Sequence, residues 1–134
     1  MAKELELRVY AATRTFPREE KFRSTDQLNR SASAATNNIA EAYYKSSTKE
    51  KIHILRDVVI TEAEETRSNI LRCAMKNFLP TGEAETIASG YTELKKAVHG
   101  YIRFLKRNPY KFYSLRNYET TQLCNYVTAH GQSY

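Results

Sequence analysis

From Leu94 to Tyr118 the chain contains no Asp or Glu, and Glu93 and Glu119 bound that window. Inside it lie seven basic residues: Lys95, Lys96, Arg103, Lys106, Arg107, Lys111 and Arg116. They exceed the net charge of +6 carried by all 134 residues, so the rest of the chain is close to neutral. Tyr101, Phe104, Tyr110, Phe112, Tyr113 and Tyr118 are interleaved with them. Cations neutralise phosphates, and aromatic rings offer faces on which unpaired bases stack. Such a localised footprint favours a polyanionic partner. The seven cations are therefore the expected phosphate contacts. Tyr110, Phe112 and Tyr113 are the expected contacts to bases or to a protein partner. Arg103, Lys106 and Arg107 stand three and four residues apart, on one side of a helix, and Lys96 extends that stripe seven residues earlier. The plainer alternative is a solvated helix face followed by a tail whose rings pack on the protein. Tyr101 falls on an apolar seam and is expected to pack. A second basic group, Arg14, Arg18, Lys21, Arg23 and Arg30, is diluted by Glu19, Glu20 and Asp26 and reads as a solvated loop.

Other residues with chemical potential are isolated. None of His53, His99 and His130 stands at i+3 or i+4 from another histidine. His53 precedes Asp57 by four residues and reads as a helix-surface histidine. Glu62, Glu64 and Glu65 form an acidic knot, but the Glu-x-x-His pair of di-iron bundles is missing. Glu62 and Glu65 are expected to pair with basic groups on neighbouring helices or chains. Cys73 and Cys124 match no metal spacing and read as free thiols, Cys73 in the core. The chain has no glycine-rich phosphate loop, nucleophile elbow or HExxH motif. Neither a catalytic residue nor a cofactor nor a metal site is expected.

The elements that must carry the basic segment are helices. Apolar content is 41%, and only four Gly and three Pro interrupt the chain. Leu5, Val9, Ala12 and Phe16 mark a helix from Lys3 to Thr15, ended by Pro17. Ser24 and Gln27 have capping-box spacing ahead of a second helix with the seam Leu28, Ala32, Ala35, Ile39 and Ala42. Ser31, Ala32, Ser33, Ala34 and Ala35 would let a neighbouring helix come close. Ser47 and Glu50 form another capping box. It opens a third helix, Thr48 to Asn77, with the stripe Ile52, Leu55, Val59, Ala63, Thr66, Ile70 and Cys73 or Ala74. Thirty residues would span about 45 Å, too long to hide an apolar face alone. Pro80 and Gly82 break the chain again. Ile87, Tyr91, Leu94, Val98, Tyr101 and Leu105 mark the fourth helix, Thr81 to Arg107, stopped by Asn108 and Pro109. The expected fold is all-α, an antiparallel up-and-down four-helix bundle in residues 1–108. Residues 109–134 form a basic and aromatic tail, in which Ser114 to Val127 has the spacing of a short helix.

The first fourteen residues lack an apolar stretch of signal-peptide length, and no run reaches the ~20 apolar residues of a membrane span. A cytoplasmic protein is expected.

The stretch from Thr15 to Ser47 resembles a bacterial family of four-helix-bundle proteins. That family was first noted as open reading frames in 23S ribosomal RNA intervening sequences. The matching residues are Phe16-Pro17, Gln27-x-x-Arg30 and Asn38-Ile39-Ala40-Glu41, with looser agreement at Leu55, Arg56, Ala63 and Glu64. The resemblance covers roughly Leu5 to Lys106. Ala42 replaces a Gly often found there, and Ile60-Thr61 replaces a Gly-Ser pair, as in a divergent branch. The family includes proteins similar to the accessory variability determinants of diversity-generating retroelements. The resemblance implies a non-catalytic homopentamer that binds nucleic acid, RNA or DNA, and assists a reverse transcriptase. The rival expectation is a protein–protein scaffold of the same family with no nucleic-acid role.

Overall fold

The computed structural model describes residues 1–108. Four helices run up and down: α1 Ala2–Thr13, α2 Ser24–Tyr44, α3 residues 48–75, and α4 Thr81–Arg107. A single 3-10 turn, Arg18–Glu20, lies between α1 and α2. There is no strand among the described residues. The fold is the all-α bundle that the periodicity implies.

α1 buries Leu5, Val9 and Ala12, and Phe16 just beyond it. The helix stops at Thr13, earlier than the proline predicts. Its last turn tightens instead, with Thr15 and Phe16 N–H groups bonding to Ala12 and Thr13 carbonyls at 3.3 and 3.1 Å. Phe16 then meets Phe78, ring centroids 5.5 Å apart, and ties the α1–α2 link to the α3–α4 turn.

The capping box expected at Ser24 does not form. Ser24 is the first helical residue, Arg23 is the N-cap, and no side chain caps from that position. The Glu20 carboxylate, one turn upstream, accepts the Ser24 N–H at 3.4 Å. At Ser47 the serine half of the expected box forms, its hydroxyl accepting the Glu50 N–H at 3.0 Å.

The small residues of α2 let it sit between two neighbours. Ala32, Ala35 and Ala42 are buried with Leu28 and Ile39. Ser33 donates to Glu6 of α1 at 2.8 Å. Ser31 and Thr66 of α3 share a buried hydroxyl bond of 2.7 Å. The same economy recurs between α1 and α4, where Gly90 leaves room for the Leu5 side chain.

α3 is continuous but not uniform. An α stretch Thr48–His53 passes into a π-helical stretch Ile54–Val59 and then into Ile60–Met75. The wider π turn absorbs the two successive four-residue steps from Leu55 to Val59 to Ala63, which a regular helix would rotate off the seam. It also shifts the register upstream. Lys51 is buried, whereas Ile52, the expected core residue, is only half-buried.

α4 completes the core with Ile87, Tyr91, Leu94, Val98, Tyr101 and Leu105, all buried as the heptad spacing implies. The Tyr91 hydroxyl is buried without a hydrogen-bond partner among the described residues, and burial pushes its pKa well above the usual phenol value.

Candidate nucleic-acid interface

The C-terminal third of α4 positions the basic stripe. Burying Val98, Tyr101, Ile102 and Leu105 leaves Lys96, His99, Arg103, Lys106 and Arg107 exposed on the opposite side. His99 was not singled out by the sequence, although it lies three residues after Lys96 and four before Arg103. Lys106 and Arg107 make no ion pair among the described residues. Cations in a last helical turn also complement the helix dipole, which is a structural reason for their presence. Lys96 meets Glu93 at 3.4 Å. Tyr101 and Phe104 stack on each other, ring centroids 6.1 Å apart, with Tyr101 buried and Phe104 half-buried.

Lys95 is placed differently from the other cations of α4. It is half-buried and pairs with the Glu64 carboxylate of α3, which also takes Arg67 at 2.6 Å. The bonds from Arg67 and then Lys95 hold the Glu64 carboxyl far down, at about 2. The charge of Lys95 is thus matched inside the bundle. Tyr110, Lys111, Phe112, Tyr113 and Arg116, and the helix expected over Ser114 to Val127, lie outside the described residues.

The partners of the acidic knot differ from the expected ones. Glu64 is the carboxylate that meets cations of its own chain. Glu62 and Glu65 make no ion pair among the described residues. They line a groove of about 380 Å³ between α2 and α3, facing Gln27 and Arg30 of the Gln-x-x-Arg pattern. Burial, and then repulsion by Glu65, raise the Glu62 pKa. Arg30 is mostly solvated and reaches back to Asp26 at 3.4 Å.

His53 is a surface histidine, paired with Asp57 at 2.6 Å. Among the described residues no three His, Cys, Asp or Glu side chains converge to hold a metal ion. Nor is any described helix long and apolar enough to cross a membrane. Cys73 is buried, and burial pushes its thiol pKa up.

The family model described as 23S rRNA-intervening sequence protein matches residues 1–100. No curated protein and no solved structure matches the chain. The match covers the bundle down to Gly100. It therefore takes in Lys95 and Lys96 but ends before Arg103, Lys106 and Arg107.

Proposed function

The chain belongs to the 23S rRNA-intervening sequence protein family, and on that premise we propose that it is a non-catalytic accessory protein that binds nucleic acid through the C-terminal third of α4. The observation that carries this reading is the exposed stripe of Lys96, Arg103, Lys106 and Arg107 on one side of that helix. Lys111 and Arg116 continue the cationic run, with Tyr110, Phe112 and Tyr113 as stacking or docking groups. Lys95 contributes less, because Glu64 already holds it. The protein works in the cytoplasm as a homo-oligomer, a pentamer by resemblance. Its protein partner is a reverse transcriptase, as for the accessory variability determinants. Exposed Leu7 and Tyr10 on the outer side of α1 favour a second reading, a scaffold that docks another protein.

Binding of a labelled structured RNA across a salt series tests the proposal. Neutralising phosphates releases counterions, so each contact adds about 0.9 to the slope of log K against log salt. Arg103→Ala with Arg107→Ala should flatten that slope by about two. Lys95→Ala should leave it nearly unchanged. An unaltered slope in the Arg103/Arg107 double variant would remove the stripe from the interface. Failure to bind at low salt would leave the scaffold reading.

A further inference from the structure

The last turns of α4 share one end of the bundle with the turn between α2 and α3. The Lys95–Glu64 pair fixes the antiparallel register of α4 on α3. That register brings Arg103 and Arg107 level with the start of α3, Thr48–His53, which packs against α4. The Lys51 ammonium reaches back to the Ala42 and Tyr43 carbonyls, so the end of α2 is tied to the same place. From Ala42 to Lys49 the chain contains no acidic residue. The flanking acids are Glu41, which Lys45 meets at 3.6 Å, and Glu50. Lys49 is exposed and makes no ion pair among the described residues.

Tyr44 is the telling residue of this turn. It is 74% exposed, so its ring adds little to the core and has a face to offer. Tyr43, packed against the core, meets it edge-on, with ring centroids 5.3 Å apart and planes at 90°. The ring therefore stands on a buried neighbour while most of it faces water. Two other exposed rings are placed differently. Phe22 lies at the opposite end of the bundle, two residues after Glu20, with Lys21 over its ring at 5.4 Å. Tyr10 has Arg14 over its ring at 5.9 Å. Of these three rings, Tyr44 is the one that shares an end of the bundle with the cations of α4.

Cations that follow a phosphate backbone, beside a ring on which a base can stack, suit a single strand of nucleic acid. A duplex offers the same phosphates, but its bases are stacked on one another and closed to the ring. We infer that the α2–α3 turn is a single-strand contact, in which an unpaired base stacks on Tyr44 and Lys49 meets an adjoining phosphate. The ligand of the α4 stripe is then a single strand or the loop of a folded RNA. The inference rests on the proposed function and adds to it the form of the ligand and a stacking residue.

The test uses the full chain and one RNA in two forms, a single strand without self-complementarity and the same strand annealed to its complement. Tyr44→Ala should weaken single-strand binding at least about fivefold and leave duplex binding unchanged. It should also leave the salt slope unchanged, because the ring carries no charge. Tyr44→Phe keeps the ring and should bind as the parent does. Lys49→Ala should flatten the single-strand slope by about 0.7. The chain has no tryptophan, so Tyr44→Trp introduces a sole indole. Its fluorescence should be quenched, saturably, by the single strand and not by the duplex. Tyr44 and Lys49 are exposed, so the fold should survive these changes. Parent-like single-strand binding by Tyr44→Ala, equal losses for both forms, or an indole that responds alike to both would overturn the inference. If Tyr44→Ala binds like the parent while the Arg103/Arg107 double variant loses salt slope, the α4 stripe stands without the turn. If Tyr44→Ala loses single-strand affinity while the double variant keeps the parent slope, the turn is the interface and the stripe is not. A chain that binds neither form at low salt overturns both.

Discussion

α2 and α3 both end by leaving carbonyl groups that no intrahelical donor can reach, and the two ends satisfy them differently. At the end of α2, the Lys51 ammonium, folded back from the first turn of α3, donates to the Ala42 and Tyr43 carbonyls at 3.2 and 2.7 Å. The side chain is buried and also lies over the Tyr43 ring, 5.6 Å from its centroid. At the end of α3, the backbone does the work alone. Asn77 takes a left-handed conformation, φ 63°. Asn77 and Phe78 N–H groups then bond to the Ala74 and Cys73 carbonyls, each at 3.0 Å. The first solution depends on another helix being docked, so it couples the α2 terminus to the packing of α3. The second is complete within six residues, Cys73 to Phe78, and needs only a residue that tolerates positive φ.

The largest effect is expected where the cap is remote. Lys51→Met keeps most of the aliphatic stem but removes both charge-assisted bonds and the favourable cation at a helix C-terminus. It should lower unfolding free energy by about 2–3 kcal/mol, read from urea denaturation. A loss under ~1 kcal/mol would mean that water satisfies the two carbonyls as well as lysine does. The difference between the two helix ends would then be one of geometry rather than energy.

The local cap gives a smaller and more specific response. Asn77→Val places a β-branched residue in the left-handed region and should cost about 1–2 kcal/mol. Asn77→Gly removes that strain and should leave stability unchanged or slightly raised. If glycine destabilises as much as valine, the Asn77 side chain rather than its φ holds the turn.

The contrast also explains what the sequence revealed. Heptad steps identify every buried apolar residue of α2 and the central seam of α4, because a regular helix converts spacing directly into a face, but they pass over Ala84, Ala88, Ala97 and Ile102, which widen the buried face of α4. The same rule misassigns Ile52 and passes over Lys51, because the π-helical stretch Ile54–Val59 inserts a rotation that no propensity records. The capping pattern Ser47-x-x-Glu50 is local and reads correctly, as a capping serine. Ser24-x-x-Gln27 has similar spacing, but the 3-10 turn brings Glu20 onto the Ser24 N–H instead. At the candidate interface the basic stripe was legible from charge and spacing. The loss of Lys95 to Glu64 was not, because that pair joins residues 31 positions apart across two helices. The place of Tyr44 at the same end of the bundle was equally hidden, since it follows only from the antiparallel packing of α2, α3 and α4.

The smallest expected effects test the same distinction among the carboxylates of α3. Glu64 has a remote partner in Lys95, whereas Glu62 makes no ion pair among the described residues. Glu64 is depressed from an ordinary 4.5 to about 2, so its contribution is fully present above pH 4.5 and is lost as the pH falls toward 2. It is partly exposed and solvent-screened, so Glu64→Gln should cost at most ~1 kcal/mol at pH 7. Glu62 is shifted upward, mainly by burial, so its carboxylate opposes folding at neutral pH and that opposition fades as it protonates. Glu62→Gln should therefore stabilise the bundle slightly at pH 7, and the gain should vanish as the pH falls below the raised value. Urea midpoints of the two variants measured from pH 7 to pH 3 should depart from the parent in opposite directions and converge toward it in acid, Glu62→Gln first. If both variants destabilise at pH 7, the α2–α3 groove contains a cation for Glu62, and the two sides of α3 are electrostatically alike.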